Sequence, residues 1–480
     1  MKSFKRFIAI LLTLAAVLSV VPMTAFASDV PQTVAESAVL INADTGRVLY
    51  EKNDRQKMYP ASMTKMLTAM VVLDNMESND TIKVDSSTNE VPWDSSKAGL
   101  KVGEVLTVEN AIRGLIIPSG NDVATVVASA VAKKALGDDI TYTKAEEYFT
   151  GLMNEKAKSL GCTDSNFVNP HGYHNDNHYT TAYDLSLIAQ AAMKYDSIKE
   201  IAAETSFSGN GAGKQKYNVD GTTSEYTWNS HNELITNGAN YYECATGIKT
   251  GFTDEAGDCV AASATNGNEN LIAVIMNSED PGRWNDAKAL FDWAFQNYDI
   301  TEYRQAGVAA TAKLTGHNRL NGDTLDLTIE NSMSEYLTAD EAARIEAKVV
   351  YDDGGEFLKA PVDQGEKVGK LQFLLDGKVI GEADAYASKA VGKSNIFNLG
   401  IYYIKTFFGA AFARENIKYT AGVLALIIII IIIIIIRHRR KRRYRIKGNY
   451  SNRGIYDTSR VNSKKRRKSS HSKDKYNRFK

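Results

Sequence analysis

Apolar residues along the N-terminal part of the chain follow two different spacings. Short apolar runs at 38–41 and 47–50 flank an Asp-Thr-Gly turn at 44–46 and predict a β-hairpin. Beyond the hairpin, apolar positions recur at helical spacing and predict four helical stretches, at 62–76, 105–135, 143–160 and 182–197. The pattern therefore predicts a hairpin followed by a helical middle.

Strands return after the helical middle. Apolar runs at 259–264 and 271–276 are joined by a Thr-Asn-Gly-Asn turn at 265–268, and they predict a second hairpin. A closing helix is predicted at 286–298. Because strands stand at both ends of the segment with helices between them, we expect one α+β domain, 28–298, whose antiparallel sheet joins its terminal strands.

From residue 299 the pattern changes to short alternating runs separated by glycine-containing turns. These runs predict five strands, at 309–314, 324–329, 347–351, 371–375 and 378–383. No cluster of polar side chains accompanies them, so we expect 299–390 to form a small β-sandwich that acts as a spacer. A linker, 391–416, is predicted to follow it.

Both ends of the chain carry targeting patterns. Residues 1–27 combine basic residues, an apolar run and an Ala-Phe-Ala sequence at 25–27, which predicts a signal peptide cleaved before Ser28. Residues 417–436 include ten consecutive isoleucines and predict a transmembrane helix. The arginines and lysines of 437–480 place this basic tail in the cytoplasm by the positive-inside rule. We therefore expect a single-pass protein of the cell membrane whose main domain is extracytoplasmic.

Charge is distributed unevenly along the 480 residues, although 57 Lys and Arg balance 57 Asp and Glu. Residues 437–480 carry 19 basic and 2 acidic residues, whereas 28–436 carries 35 basic and 55 acidic ones. A hydrophobic fraction of 44% and a charged fraction of 24% exclude collagen-like and mostly disordered proteins. Because basic residues beside a membrane helix orient it and bind anionic headgroups, we interpret the tail as a membrane feature and expect no nucleic-acid partner.

The candidate chemistry begins with a Ser-x-x-Lys sequence at 62–65, at the start of a predicted helix. A separation of three residues puts Ser62 and Lys65 on one helical face. There the lysine can accept the serine proton if burial and a neighbouring positive charge lower its pKa. Ser62 is thus a candidate nucleophile, and Lys65 is its candidate base.

Two further motifs follow in order. Ser-Gly-Asn at 119–121 interrupts a helical pattern, and Lys-Thr-Gly at 249–251 precedes a predicted strand. The ordered trio of Ser-x-x-Lys, Ser-x-Asn and Lys-Thr-Gly is typical of serine β-lactamases and penicillin-binding proteins. The trio favours acyl-transfer chemistry on a serine.

Each residue of the second and third motifs has a role in this hypothesis. Ser119 shuttles a proton, and Asn121 donates its side-chain amide to the substrate peptide. Lys249 and Thr250 bind a substrate carboxylate through charge-assisted hydrogen bonds. Gly251 lets the substrate backbone lie close to the strand.

The sequence resembles the low-molecular-mass penicillin-binding proteins, which are serine-type D-alanyl-D-alanine carboxypeptidases. The resemblance covers about residues 35–295 and, more loosely, the β-rich domain; it rests on five segments, 59–65, 115–122, 167–172, 178–184 and 247–253. It implies a β-lactamase/transpeptidase-like fold. It also implies a membrane-anchored enzyme that removes the terminal D-alanine from peptidoglycan stem peptides through an acyl-enzyme on Ser62 and is inhibited by β-lactams.

The resemblance implies two further substrate-binding residues. Arg283 matches an arginine that helps to bind the terminal carboxylate, with an exposed arginine at a helix start as the alternative. Ser96 lies where family members place a substrate-contacting loop. Phe252 follows the Lys-Thr-Gly motif where some members carry histidine, which puts in doubt any side-chain role at that position.

The cysteines and histidines of the sequence do not indicate a disulfide framework or a metal site. The odd number of cysteines, at 162, 244 and 259, weakens the case for a disulfide framework, and the pairing of Cys244 with Cys259 stays open. His171, His174 and His178 lie in a polar loop without a His-Glu-x-x-His pattern. We interpret these histidines as structural and expect no metal and no cofactor.

Three other functions are compatible with some of these motifs. A D,D-endopeptidase would use the same site. A β-lactamase would share the trio and the fold, but no Glu-x-x-Leu-Asn segment occurs between 122 and 248 to supply a deacylating glutamate. A noncatalytic antibiotic sensor would not need all six polar motif residues, and none is missing.

Overall fold

The structure is a computed structural model that describes four stretches of the chain: 30–210, 225–411, 413 and 417–447. The predicted signal peptide, 1–27, and the tail beyond residue 447 lie outside the described residues. The chain divides into two compact units. The first holds residues up to 312, 325–358 and 364–389; the second holds 313–324, 359–363 and 390 onward.

The first unit begins with alternating strands and helices. The strands are β1 Ser37–Asn42, β2 Val48–Lys52, β3 Thr81–Lys83, β4 Val105–Thr107, β5 Ser206–Asn210, β6 Glu225–Asn229, β7 Ala245–Thr253, β8 Gly257–Thr265 and β9 Asn270–Ser278. The helices are α1 Lys65–Asn75, α2 Val108–Ile116, α3 Asn121–Leu136, α4 Tyr142–Ser159, α5 Ala182–Ala192, α6 Asp196–Ala202 and α7 Gly282–Asn297. The predicted helical middle is confirmed.

Five of these strands form an antiparallel sheet in the order β2-β1-β9-β8-β7. β1 pairs with β9 in a register that places Leu40 opposite Ala273, which confirms that the terminal strands of the domain meet. In β7, Lys249 lies opposite Ala261 of β8. The Lys-Thr-Gly motif therefore lies within an edge strand and not before a strand, because its polar residues and glycine hide the apolar alternation on which the prediction rests.

The sheet separates two apolar cores, because successive residues of a strand face opposite sides. Val39 and Ile41 of β1 belong to the core formed with α1 to α6. Leu40 belongs to the core formed with α7, together with Trp284 and Phe291. Each large apolar side chain buried in this way contributes about 1.5–3 kcal/mol. The two cores thus pack against opposite faces of the sheet, and the first turn of α1 belongs to the core formed with the helices.

The three cysteines are free thiols. Cys162 and Cys259 are buried, and Cys259 Sγ accepts a hydrogen bond from the backbone of Asn277 at 3.4 Å. The open question of a Cys244–Cys259 disulfide is answered in favour of separate thiols.

Most of the β-rich domain also lies in the first unit. Its elements are β10 Asp299–Arg304, β11 Gly307–Thr315, β12 Thr324–Ile329, β13 Met333–Leu337, α8 Ala339–Ala343, β14 Glu346–Tyr351, β15 Leu358–Lys359, β16 Lys367–Leu375 and β17 Lys378–Ala387. All five predicted strands are present. Four strands lie side by side in the order β14-β16-β17-β12, and β10 pairs with β13 in a separate two-stranded sheet. The described strands thus form a main sheet and a separate two-stranded sheet, which agrees with the β-rich domain expected here.

The second unit contains two helices, α9 Ile396–Ala411 and α10 Ile417–Lys447. The segment 391–416, predicted as a linker, thus contains α9, whose Tyr402 ring lies 5.8 Å from the guanidinium carbon of Arg319. The predicted transmembrane segment falls in α10, but the side chains of 417–421 lie outside the described set. Over the part of the chain that is described, no helix has both the length and the apolar character needed to cross a membrane.

Candidate active site

The three motifs meet in one cleft of about 780 Å³. Predicted site residues that line it are Ser62, Ser96, Ser119, Asn121, Thr250, Gly251 and Arg283. The two motif lysines lie behind the lining, because Lys65 is 0% exposed and Lys249 is 2% exposed. All nine predicted residues are therefore gathered at one place.

Ser62 and Lys65 are positioned where a 3₁₀ turn passes into a helix. The turn, Ala61–Thr64, carries Ser62, and Lys65 is the first residue of α1. Lys65 Nζ lies 2.8 Å from Ser62 Oγ, 2.7 Å from Asn121 Oδ1 and 2.8 Å from the carbonyl oxygen of His171. The first and second motifs thus converge on one buried amine.

The environment of Lys65 favours its neutral form. Burial lowers the pKa of Lys65 well below its ordinary value of 10.5, and the positive charge of Lys249 lowers it further. The carboxylate of Asp122 raises the pKa, but it is the weakest of the three influences. A lysine with a lowered pKa has a larger neutral fraction near neutral pH, as a general base requires.

The three partners of Lys65 determine how its neutral amine is oriented. The oxygens of Asn121 and His171 can only accept, so each takes one of the two N–H groups. The Ser62 hydroxyl can donate, so the amine lone pair faces Ser62 Oγ at 2.8 Å. This arrangement allows Lys65 to remove the serine proton.

Ser119 stands at the turn between α2 and α3. Its φ of 58° lies in the left-handed region, and the turn places Asn121 as the first residue of α3. Ser119 Oγ is buried and has no hydrogen-bond partner among the described residues. A non-glycine residue in this conformation costs on the order of 1–3 kcal/mol, and such residues concentrate at functional sites.

Asp122 is a site residue that sequence analysis missed. Its carboxylate accepts hydrogen bonds from the backbone of Ala98 at 2.8 Å, Gly99 at 2.8 Å and Leu100 at 3.0 Å. It therefore ties the loop that follows Ser96 to the start of α3. The only local signal is its place in the first turn of a helix, where the helix dipole already explains an acidic residue.

Gly251 allows β7 to approach the turn that carries Ser62. A Cβ at this position would lie 3.0 Å from the carbonyl oxygen of Pro60, 3.1 Å from Ala61 Cβ and 3.2 Å from the backbone nitrogen of Ser62. Those contacts are tighter than packed side chains normally make. The structure thus explains this glycine by packing against the nucleophile, whereas the sequence predicted a role in substrate approach.

Lys249 and Arg283 supply positive charge at the end of the cleft that Thr250 lines. Burial, and then the positive charge of Arg283, lower the pKa of Lys249 to about 7. Lys249 Nζ donates to the carbonyl oxygen of Thr250 at 3.0 Å. The side chain of Arg283 is 13% exposed and pairs with Asp258 at 2.7 Å, so the alternative of an exposed surface arginine is wrong.

Ser96 and Phe252 lie on the exposed rim of the cleft. The carbonyl oxygen of Ser96 accepts a hydrogen bond from the backbone of Asn121 at 2.9 Å, which fixes the loop beside the second motif. Phe252 is 59% exposed and also lines the cleft. Both residues therefore line the open side of the cleft.

His171 and His178 brace the loop behind Lys65. His178 Nε2 lies 2.9 Å from Thr64 Oγ1, and its Nδ1 accepts from the backbone of Val168 at 3.1 Å. Burial lowers the pKa of His178 to about 3. His171 Nδ1 accepts from the backbone of Tyr173 at 3.1 Å. Within the described ranges, no group of three or more His, Cys, Asp or Glu side chains is placed to hold a metal ion.

Two family models match the chain in the order of its domains. A model described as D-alanyl-D-alanine carboxypeptidase matches residues 24–280. A model described as penicillin-binding protein 5, C-terminal domain, matches residues 313–393. The first match includes all three motifs, and the second covers most of the β-rich domain.

Individual relatives agree with these matches. D-alanyl-D-alanine carboxypeptidase DacF of Bacillus subtilis is 30% identical over 75% of this chain and 86% of its own length. D-alanyl-D-alanine carboxypeptidase DacA of Escherichia coli is 30% identical over 79% of this chain and 89% of its own length. The crystal structure of penicillin binding protein 5 from Haemophilus influenzae is similar with a TM-score of 0.57 and 26% identity, covering 76% of this chain and all of that chain. The protein therefore belongs to the D-alanyl-D-alanine carboxypeptidase family and is a serine hydrolase of that activity.

Proposed function

We propose that this protein is a membrane-anchored D,D-carboxypeptidase that removes the terminal D-alanine from peptidoglycan stem peptides, and that β-lactams acylate the same serine. The observation that carries the proposal is the 2.8 Å contact between buried Lys65 Nζ and Ser62 Oγ. This contact joins a nucleophile to a base whose pKa is lowered by burial.

Acylation begins when Ser62 Oγ attacks the carbonyl carbon of the penultimate D-alanine and its proton passes to Lys65 Nζ. The tetrahedral intermediate then breaks its C–N bond, and the amino group of the terminal D-alanine needs a proton in order to leave. Ser119 Oγ lines the same cleft and has no hydrogen-bond partner among the described residues, which leaves it able to relay the proton from Lys65. The products are free D-alanine and a peptidyl ester on Ser62.

Deacylation uses the same base. Once its proton has left with D-alanine, Lys65 is neutral again and accepts a proton from water as the water attacks the ester carbonyl. Ser62 leaves with that proton, and the peptide is released one residue shorter. In the described structure the partners of Lys65 Nζ are Ser62, Asn121 and His171, so no acidic side chain contacts it as a separate base.

The substrate is oriented by its terminal carboxylate. Thr250 and Arg283 line the same cleft as Ser62, and Lys249 lies directly behind Thr250. With a pKa of about 7, Lys249 is protonated in about half of the molecules at neutral pH. A substrate carboxylate that binds beside it stabilises the protonated form. This end of the cleft therefore binds the C-terminus of the peptide and directs the preceding peptide bond to Ser62.

The full chain in detergent is expected to release one D-alanine from each pentapeptide that ends in D-Ala-D-Ala, and to form a long-lived adduct with benzylpenicillin. A bulky penicilloyl group that stays in the cleft blocks the water that Lys65 would activate, whereas departure of D-alanine opens the path. Mass spectrometry of peptide and protein measures both outcomes in one preparation. Rapid, sustained penicillin hydrolysis without D-alanine release would favour a β-lactamase instead.

The membrane anchor is proposed from the composition of α10. Its ten consecutive isoleucines, Ile427–Ile436, are each 46–57% exposed in the described chain. Such a continuous apolar surface is stable when lipid covers it. The basic residues that follow favour a cytoplasmic position for the tail.

The topology is tested with external protease on intact protoplasts of cells that produce a C-terminally tagged protein. We expect digestion of the catalytic domain and protection of a tagged fragment that contains 437–480, because the membrane separates the tail from the protease. Lysed protoplasts serve as the control, since the tail should then be digested. Loss of the tag in intact protoplasts would contradict the proposed orientation.

A further inference from the structure

An acidic residue stands at the end of the cleft that binds the substrate carboxylate. Asp258, the second residue of β8, lines the cleft together with Thr250 and Arg283. It lies opposite Phe252 in the pairing of β7 with β8. A carboxylate beside an anion-binding site repels the ligand. Asp258 would therefore weaken substrate binding unless it also makes a favourable interaction at the site.

Of the two ion pairs that Arg283 makes with neighbouring aspartates, the one with Asp258 is the shorter. Arg283 Nη1 lies 2.7 Å from Asp258 Oδ1, whereas Arg283 Nη2 lies 3.6 Å from Asp280 Oδ1. Asp280 Oδ1 already accepts a hydrogen bond from Trp284 Nε1 at 2.7 Å. The Asp258 contact is therefore the one that holds the head of the guanidinium, and the 3.6 Å separation is longer than a hydrogen bond.

The surroundings strengthen this ion pair. The side chains of Arg283 and Asp258 are 13% and 20% exposed, so water screens their interaction less than at an open surface. The guanidinium carbon of Arg283 also lies 4.3 Å from the centre of the Trp284 ring, which restricts its movement on the side facing α7. Nη1 is thus held by Asp258 at 2.7 Å, whereas Nη2 lies within ion-pair distance of Asp280 but beyond hydrogen-bond distance of it.

Asp258 also balances positive charge in the cleft. Lys249 and Arg283 are close enough for the positive charge of Arg283 to lower the pKa of Lys249. Without an acid, two cations would face one another at a partly buried site. With Asp258 paired to Arg283, the guanidinium can stay beside Lys249 before substrate arrives.

We propose that Asp258 is a positioning residue for recognition of the substrate's terminal carboxylate, acting through Arg283. By holding Nη1, it keeps the guanidinium against the cleft wall, where Nη2, which makes no hydrogen bond to Asp280, can donate to the carboxylate that Thr250 and Lys249 also bind. The inference rests on the proposed function. It predicts an effect on substrate binding that disappears when Arg283 is absent.

The test is a double-mutant cycle of Asp258→Asn and Arg283→Ala in the full chain in detergent, with D-alanine release from a pentapeptide as the readout. We expect Asp258→Asn to raise KM about tenfold, as for loss of one charge-assisted contact, with kcat within about twofold of the wild type. In the Arg283→Ala background, Asp258→Asn is expected to change KM less than twofold, because the partner through which it acts is gone.

Asp254→Asn is the matched control. Asp254 lines the same cleft and carries the same charge, but it is exposed and makes no ion pair with Arg283 in the described structure. We expect its KM to change much less than in Asp258→Asn, and to the same extent with and without Arg283. An equal rise of KM in Asp254→Asn would show that cleft charge, and not the position of Arg283, is responsible, and would overturn the inference.

Two other results would also overturn it: an unchanged or lowered KM in Asp258→Asn, or an equal effect of Asp258→Asn with and without Arg283. Titration of Ser62 with labelled penicillin counts the folded sites in each preparation, and KM does not depend on their number. Absence of D-alanine release by the wild type would instead contradict the proposed function itself. The two failures are therefore distinguishable.

Discussion

Replacement of Ser62 by alanine is expected to abolish covalent labelling by penicillin and to reduce D-alanine release by a factor on the order of 10⁶. Without Oγ no ester can form, and Lys65 Nζ loses the hydroxyl that lies 2.8 Å away. Mass spectrometry after incubation with benzylpenicillin measures the adduct, and a D-alanine assay measures turnover.

Ser95→Ala is the matched control for the nucleophile. Ser95 lines the same cleft, but its hydroxyl donates to the carbonyl oxygen of Pro92 at 2.8 Å and not to the lysine. We expect this variant to be labelled at close to the wild-type rate. Labelling of Ser62→Ala at an undiminished rate would require a different nucleophile and would end the assignment.

Replacement of Lys65 by methionine is expected to slow acylation by a factor on the order of 10³ to 10⁴, since a general base contributes up to this amount. In the wild type, acylation should fall as pH is lowered through the pKa of Lys65, because the protonated amine cannot accept the serine proton. Burial lowers that pKa, so activity should persist at a pH where an ordinary lysine of pKa 10.5 is almost fully protonated. The measurement is the second-order rate constant of acylation as a function of pH. In Lys65→Met its fall at low pH should be absent.

Lys97→Met controls for the loss of a lysine near the cleft, because Lys97 is exposed on the loop beside Ser96. Its rate and pH profile are expected to match the wild type. A Lys65→Met variant that kept the wild-type profile would show that another group accepts the proton. Near-normal penicillin labelling in this variant would have the same meaning.

The sequence by itself determined the order of the domains and most of the chemistry. The terminal strands of the first domain, its helical middle and the five strands of the β-rich domain follow from apolar spacing, which local backbone geometry imposes. The separation of three residues between Ser62 and Lys65 likewise implies proximity, because one helical turn brings them together. Side chains close in sequence are constrained by bonds that the chain itself specifies.

Only the tertiary structure decided which distant groups meet those residues. Lys65 is held by Asn121 and His171, 56 and 106 positions away, and Gly251 is required by the approach of β7 to Pro60. Sequence reasoning assigned Gly251 to substrate approach and gave Asp122 and Asp258 no role. No local pattern encodes these contacts, because they depend on how two apolar cores pack against opposite faces of one sheet. That packing also buries Lys65 and Lys249, and burial is what lowers the pKa of both amines.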